Sequence, residues 1–179
     1  RSLGLGVNQI VLIFITATAS MLSAGSIAVF NLSFNLQSVP LAVIGMSYSV
    51  AAFPALTKLF VSNKKKEFLE QSIIAVRQII FWSITASSLI IVLRAQIVRV
   101  VFGSGHFSWQ DTRLTAAAIS IFAFSITAQS LVVLFTRAFY ASGKTWKPII
   151  INVVSAVFII GMAPVFINLI KNHFFLASF

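Results

Sequence analysis

Polar residues within the second apolar segment of the sequence carry its clearest chemical signal. They recur at intervals of three or four residues, in the order Asn31, Asn35, Ser38, Ala42, Gly45 and Ser49. Such intervals place residues on one face of an α-helix. Two asparagines one turn apart offer hydrogen-bond donors and acceptors, which suits either a neighbouring helix or the wall of a polar cavity. For a single asparagine the bond to another helix is the commoner role, but the alignment of two favours a substrate cavity.

Weaker polar signals lie on the other apolar segments. Asn8 and Gln9 stand near the start of the first segment, and we include them with Asn31, Asn35 and Ser38 as candidate cavity residues. The remaining polar pairs are expected to form hydrogen bonds between packed helices. They are Ser125 with Gln129 and Asn152 with Ser155. Together these positions predict a helical bundle with a partly polar interior.

Ionisable residues are scarce in the apolar segments, which narrows the chemistry that the chain can perform. The acidic residues are Glu67, Glu70 and Asp111, and none stands in the middle of a segment, where a proton or cation relay usually needs one. The sequence has no cysteine, and His106 and His173 lack a partner at ligand spacing. No pair of carboxylates and no nucleophile with a nearby base is evident. We therefore expect no catalytic residues, no metal site and no cofactor, which argues against an enzyme.

The composition places the chain in a lipid environment. Of its 179 residues, 59% are hydrophobic and 9% are charged, whereas about a quarter of the residues of a soluble domain are charged. In a soluble protein the net charge of +10 would suggest a nucleic-acid partner, but such binding needs a solvated basic face. Here the basic residues stand at the ends of apolar segments, where they contact anionic lipid headgroups. Membrane lipids are therefore expected partners, and nucleic acid is not.

The apolar segments predict an all-α fold, a polytopic membrane bundle of about five transmembrane helices. The predicted helices cover approximately residues 4–23, 26–61, 67–102, 111–141 and 146–169. The second is too long for the hydrocarbon core of a bilayer, and Pro40 is expected to bend it because proline removes a backbone hydrogen bond. We interpret residues 1–179 as part of one transmembrane transport domain, internal to a longer membrane protein.

The basic residues also predict an orientation. If the segments alternate in direction, eight basic residues fall on one side: Arg1, Lys58, Lys64, Lys65, Lys66, Arg137, Lys144 and Lys147. Four fall on the other side: Arg94, Arg99, Arg113 and Lys171. Cytoplasmic loops carry an excess of lysine and arginine. The loops 58–66 and 142–147 are therefore expected to be cytoplasmic.

The second of these loops has a distinctive sequence, "RAFYASGKTWKP", which spans residues 137–148. Gly143 suits the position after a helix end, Thr145 suits the cap of the next helix, and Pro148 suits its first turn. Arg137, with the neighbouring lysines, anchors the loop at the lipid headgroups. These features alone describe a structural loop.

Several stretches in order resemble the MurJ/MviN family of lipid II flippases. "AFYASGKTWKP" resembles the family's "AFYAxGxTxxP" loop, so that Arg137, Tyr140, Gly143, Thr145 and Pro148 form a loop motif here. "FGSGHFSWQDTRLTAAAI" is similar to "FxxGxFxxxDTxxTAxAL", and the helices containing Pro40 and Gln9 also follow family patterns. The resemblance implies the seventh to eleventh helices of a fourteen-helix transporter in the multidrug/oligosaccharidyl-lipid/polysaccharide exporter superfamily. It also implies a missing N-terminal lobe as a partner and a location in the bacterial inner membrane.

The resemblance implies a function as well, with two departures. Family members are thought to carry lipid II, a lipid-linked glycan precursor, to the outer leaflet by alternating access. Where they often have a cavity arginine, this sequence has Asn35, and six residues after Gln9 some have an acidic residue or asparagine of a sodium site where this sequence has Ile15. The alternatives are a sibling exporter of another lipid-linked glycan or a drug, and a membrane scaffold that does not transport.

Overall fold

The computed structural model describes residues 2–20, 26–102 and 109–176, and in these ranges the chain is helical with no β-strand. The helices are α1 (Ser2–Ser20), α2 (Ser26–Pro40), a π-helical segment (Leu41–Met46), α3 (Ser47–Val61), α4 (Lys65–Phe102), α5 (Trp109–Ala141) and α6 (Trp146–Leu176). The predicted all-α fold is confirmed. The expected end of the first helix at residue 23 lies outside the described residues.

Two compact units make up the chain. The first contains residues 1–23 and 145–179, and in it α1 packs against α6. The second contains residues 24–144, and there α4 and α5 share the most extensive helix contact. The interpretation of residues 1–179 as part of one transmembrane transport domain stays a prediction.

The second predicted segment, residues 26–61, is built from three helical pieces. α2 ends at Pro40, the π-helical segment follows directly, and α3 continues from Ser47. Proline lacks the amide N–H of a regular helical turn, and a π turn accommodates one extra residue relative to an α-helix. Residues before and after this segment therefore do not share a single α-helical register, and the bend expected at Pro40 stays a prediction.

Three helices in the described part are long and apolar enough to cross a membrane. They cover Ile27–Val61, Lys65–Val101 and Thr112–Ala141, and Trp146–Met162 is a shorter apolar helix. These spans confirm the predicted membrane helix bundle, and the expected number of about five transmembrane helices stays a prediction. Large apolar side chains such as Val100, Phe124 and Ile121 are 86%, 76% and 75% exposed. Side chains of this kind lie in lipid without cost, because hydrocarbon solvates them.

Candidate functional site

The predicted cavity residues of α2 form an exposed polar surface. Asn31, Asn35 and Ser38 are all exposed, and we call these three residues the amide face. The Ser38 hydroxyl donates a hydrogen bond to the backbone carbonyl of Asn35 at 2.6 Å, within the same helix. The described helices of this unit leave the amide face uncovered. Its side-chain amides can therefore contact a ligand or water.

A second polar surface of α2 is buried, and the sequence analysis did not identify it. Ser33 is 0% exposed and Gln37 is 2% exposed. The Ser33 hydroxyl donates to the backbone carbonyl of Thr115 at 3.3 Å, and the Gln37 side chain lies among polar residues of α5. We call the contact of Ser33 and Gln37 with α5 the polar seam. It is one turn of polar residues enclosed between two helices.

The centre of the polar seam is a cluster of two glutamines and a serine. The Gln129 amide Nε2 donates to Ser125 Oγ at 2.7 Å. Ser125 Oγ lies 3.1 Å from Gln37 Oε1 and 2.7 Å from the Phe122 carbonyl, and its single proton serves one of these acceptors at a time. The contact from Gln37 Nε2 to Gln129 Oε1 is longer, at 3.5 Å. The expectation that Ser125 and Gln129 make packing hydrogen bonds is confirmed.

The π-helical segment divides the polar series that the sequence placed on one helix face. Asn35 and Ser38 are exposed, but Gly45 and Ser49 are buried, so the prediction of a single face is wrong. The extra residue of the π turn advances the register by about 100°. Gly45 consequently lies on the side of the helix that packs against α5. This is the side of the polar seam and not the side of the amide face.

Gly45 is the point of closest approach between this long helix and α5. A Cβ atom built on Gly45 would lie 3.0 Å from the backbone Cα of Ser130. Any larger residue would press against the α5 backbone here, so glycine favours this close approach of the two helices. Within the described part of the chain, the buried hydroxyls of Ser130 and Thr115 have no hydrogen-bond partner.

Two of the candidate cavity residues belong to the first unit. Asn8 and Gln9 are part of α1, and the Gln9 side chain is exposed. The amide face belongs to the second unit. A cavity that includes Asn8 and Gln9 together with the amide face therefore stays a prediction.

The loop motif has the geometry of a helix end. Gly143 has a φ of 69°, its N–H donates to the Tyr140 carbonyl at 3.0 Å, and the N–H of Lys144 donates to the Phe139 carbonyl at 3.0 Å. This pair of bonds is a Schellman motif, which satisfies the last carbonyls of a helix and favours glycine. Gly143 thus has the predicted role at the end of α5.

The other residues of the loop motif lie at positions that suit a structural loop. Thr145 directly precedes α6, and Pro148 lies buried in its first turn. Arg137 is half-buried near the end of α5, and Tyr140 supplies the carbonyl that accepts from Gly143. The loop after α3 has the same motif with Asn63 in place of glycine, at a φ of 55°. Asparagine tolerates this left-handed conformation better than most residues.

Groups that could bind a metal ion or perform acid–base chemistry do not converge in the described ranges. No cluster of three or more histidine, cysteine, aspartate or glutamate residues is found there. His106 lies outside the described residues. Glu67 pairs with Lys64 at 2.8 Å in an exposed ion pair at the start of α4. Because Asn31, Asn35 and Ser38 are uncharged, the amide face offers only neutral hydrogen bonds.

The signal for the polar seam was present in the sequence but ambiguous. Ser33 and Gln37 stand four residues apart, as do Asn31 and Asn35, so both pairs mark a helix face. Only the position of α5, which is 82 to 92 residues further along the chain, decides which pair is buried. Spacing alone gives both pairs equal weight.

Comparison with known proteins gives a consistent set of relatives. The family model described as lipid II flippase MurJ matches residues 2–178. A probable lipid II flippase MurJ from Rickettsia prowazekii is 33% identical over 85% of this chain and 30% of the relative. Those from Thermotoga maritima and Bdellovibrio bacteriovorus are each 28% identical, over 80% and 91% of this chain and 29% and 31% of theirs. The chain spans about 30% of the length of these curated relatives. No solved structure matches it significantly.

Proposed function

The chain belongs to the lipid II flippase MurJ family, and we propose that it forms part of a transporter that moves lipid II from the cytoplasmic to the outer leaflet. The observation that carries the proposal is the family match over residues 2–178. Because the chain spans about 30% of its curated relatives, the working transporter includes a missing N-terminal lobe. The membrane is the bacterial inner membrane, with loops 58–66 and 142–147 on its cytoplasmic side.

In this proposal the amide face is part of the substrate cavity. Asn31 and Asn35 are exposed while the opposite side of α2 is packed against α5. An asparagine amide donates hydrogen bonds to phosphate or sugar oxygens, although a neutral donor binds an anion more weakly than arginine does. Alternating access then exposes this face first to one side of the membrane and then to the other, as the missing lobe moves against the described one.

The experiment uses the full-length protein in a host depleted of its own flippase. Wild-type protein is expected to restore lipid II to the outer leaflet, as measured by accessibility to an external lipid II-binding probe. The double variant Asn31→Ala/Asn35→Ala removes up to two neutral hydrogen bonds to substrate, so about tenfold weaker apparent affinity is expected. Gln96→Ala is the control, because Gln96 is an exposed amide on a different helix, α4.

Two outcomes would contradict parts of the proposal. If wild-type protein reaches the membrane but lipid II stays in the inner leaflet, the chain belongs to a non-transporting scaffold or to an exporter of another substrate. If the double variant and Gln96→Ala transport lipid II equally well, the transport function stands but the amide face is not part of the substrate cavity.

A further inference from the structure

An open cavity lies between α4 and α5 and is lined by residues of these two helices. Its volume is about 540 Å³, and its walls are Arg94, Ala95, Thr112, Arg113, Ala116 and Ala117. The two arginines come from different helices and line the same space. The three alanines keep that space open, because their side chains end at Cβ. The cavity therefore combines two positive charges with room for a ligand group.

Arg94 is held at this cavity by a hydrogen bond to the opposite helix. Its Nη1 donates to Ser120 Oγ at 3.1 Å, and the Ser120 hydroxyl in turn donates to the Ala116 carbonyl at 2.8 Å. The Ser120 oxygen thus accepts a hydrogen bond from Arg94, while the Ser120 proton is donated to the Ala116 carbonyl. A guanidinium carries five N–H donors in a planar fork. The bond to Ser120 fixes the fork while leaving donors for an anionic group.

The positive charge around the cavity exceeds the nearby negative charge. Asp111 is the only acidic residue after Glu70 in the sequence. Three arginines lie near the end of α4 and the start of α5, namely Arg94, Arg99 and Arg113. One carboxylate can neutralise one of three guanidinium groups. The surplus charge favours an anion in the cavity, and two arginine forks suit the oxygens of a phosphate.

The cavity lies at the depth of lipid headgroups. α4 and α5 are antiparallel, since Ser87 Oγ donates to the Ala123 carbonyl while Arg94 donates to Ser120. Between Arg77 and Arg94, α4 has no charged residue over positions 78–93, a length of about 24 Å. The hydrocarbon core is about 30 Å thick, and arginine side chains extend toward its boundaries. Arg94 therefore reaches one headgroup layer, at the end away from the Lys64–Lys66 loop.

Apolar side chains on the same two helices favour a lipid over a soluble anion. Leu114 is 59% exposed, beside Arg113, and Ile121 is 75% exposed beyond Ser120. Leu93, which precedes Arg94, is 37% exposed. In a bilayer, exposed apolar side chains on a spanning helix contact acyl chains. A ligand with a phosphate head and apolar tails contacts both the arginines and this surface, whereas free phosphate contacts only the arginines.

We propose that the cavity formed by Arg94 and Arg113 is a binding site for the phosphate of an anionic glycerophospholipid. The site is separate from the substrate cavity and does not depend on the transport function. Its two guanidinium groups bind the phosphodiester oxygens, and the alanines Ala95, Ala116 and Ala117 provide the space for the headgroup.

The test is native mass spectrometry of the full-length protein, which counts bound lipid as phosphatidylglycerol is added to detergent micelles. Arg94→Gln/Arg113→Gln is expected to weaken phosphatidylglycerol binding at this site about thirtyfold, because two charge-assisted contacts are lost. Lys65→Gln/Lys66→Gln is the matched control: it changes the net charge equally, but both lysines are exposed at the start of α4. Because these lysines contact headgroups from an exposed loop, the control should lose far less phosphatidylglycerol binding than the arginine variant does.

Additional measurements identify the ligand chemistry and separate a loss of binding from misfolding. Inorganic phosphate alone should not displace phosphatidylglycerol at millimolar concentration, and zwitterionic phosphatidylcholine should bind more weakly. Arg94→Lys/Arg113→Lys keeps the charge but loses the planar forks, so it should fall between wild type and the glutamine variant even where the latter folds poorly. Equal binding by all variants, or equal loss in the lysine-loop control, would overturn the proposal. An arginine dependence confined to a polyprenyl pyrophosphate would overturn the assignment to a glycerophospholipid.

Discussion

The amide face and the polar seam use the same residue types on one helix for opposite purposes. Asn31 and Asn35 are exposed, whereas Ser33 and Gln37 are buried against α5. Both pairs have a spacing of four residues. The difference lies in the neighbour: α5 covers one side of α2 with serine and glutamine that complete the hydrogen bonds.

This difference shows what decides the role of a polar residue in a membrane helix. A buried amide must find partners, because an unpaired polar group in an apolar environment is costly. Gln37 has such partners, and its replacement should therefore affect stability. The amide face has no neighbouring helix in the described unit, so replacing its residues should affect ligand binding but leave stability nearly unchanged. Three substitutions in and around the polar seam sharpen this contrast.

The largest effect is expected at Gly45, where the helix backbones approach most closely. Gly45→Val places a Cβ atom about 3.0 Å from the Ser130 Cα, which is backbone and cannot rotate away. We expect a loss of about 2–3 kcal/mol in the free energy of unfolding, because overpacking usually costs about 1–3 kcal/mol and valine adds two methyl groups beyond its Cβ. Thermal unfolding of the full-length protein in detergent measures this loss.

The control for this substitution is Gly161→Val. A Cβ on Gly161 meets no atom within 4 Å, so the same change of residue in another helix tests helix propensity without the clash. Both glycines lie inside helices, and their intrinsic preferences are alike. If the two variants unfold at the same temperature, Gly45 is not a close-packing point and the register assigned to the π-helical segment is wrong.

The sequence predicts the helices well because lipid imposes them. A chain in hydrocarbon must satisfy its backbone hydrogen bonds internally, so a long apolar run is a helix. The helix end at Gly143 is likewise local, since its left-handed φ of 69° is a property of one residue.

The π turn and the polar seam were not predicted. Small residues such as Ala42 and Gly45 have no periodic signal that reveals one extra residue in a turn. The burial of Gln37 depends on residues 88 and 92 positions away in the sequence. Spacing therefore marks helix faces, but only tertiary packing shows which face is covered.

A smaller effect is expected when the polar seam loses its central amide. Gln37→Leu has a similar size but removes the contacts to Ser125 and Gln129. Ser125 can still donate to the Phe122 carbonyl, and Gln129 still donates to Ser125. The destabilisation should therefore be about 1 kcal/mol, in the range of interhelical hydrogen bonds in membrane proteins. Chemical unfolding in mixed micelles measures it.

The comparison with the amide face makes this prediction specific. Asn35→Leu, at an exposed position two residues before Gln37, should change the free energy of unfolding by less than about 0.5 kcal/mol. Equal destabilisation by both leucine variants would mean that the amide face is also packed against another part of the protein. In that case its assignment as a cavity wall fails.

Among the three substitutions in and around the polar seam, the smallest effect is expected at Ser130, and it has the opposite sign. Its hydroxyl is fully buried next to Gly45 and has no hydrogen-bond partner in the described part of the chain. Ser130→Ala keeps the Cβ that faces Gly45 but removes the unpaired oxygen, so the desolvation of that oxygen is no longer needed. We expect stabilisation of about 0.5 kcal/mol, seen as a small rise in Tm. A clear fall in Tm would show that Ser130 donates to a group outside the described unit, and the polar seam would then extend beyond α2 and α5.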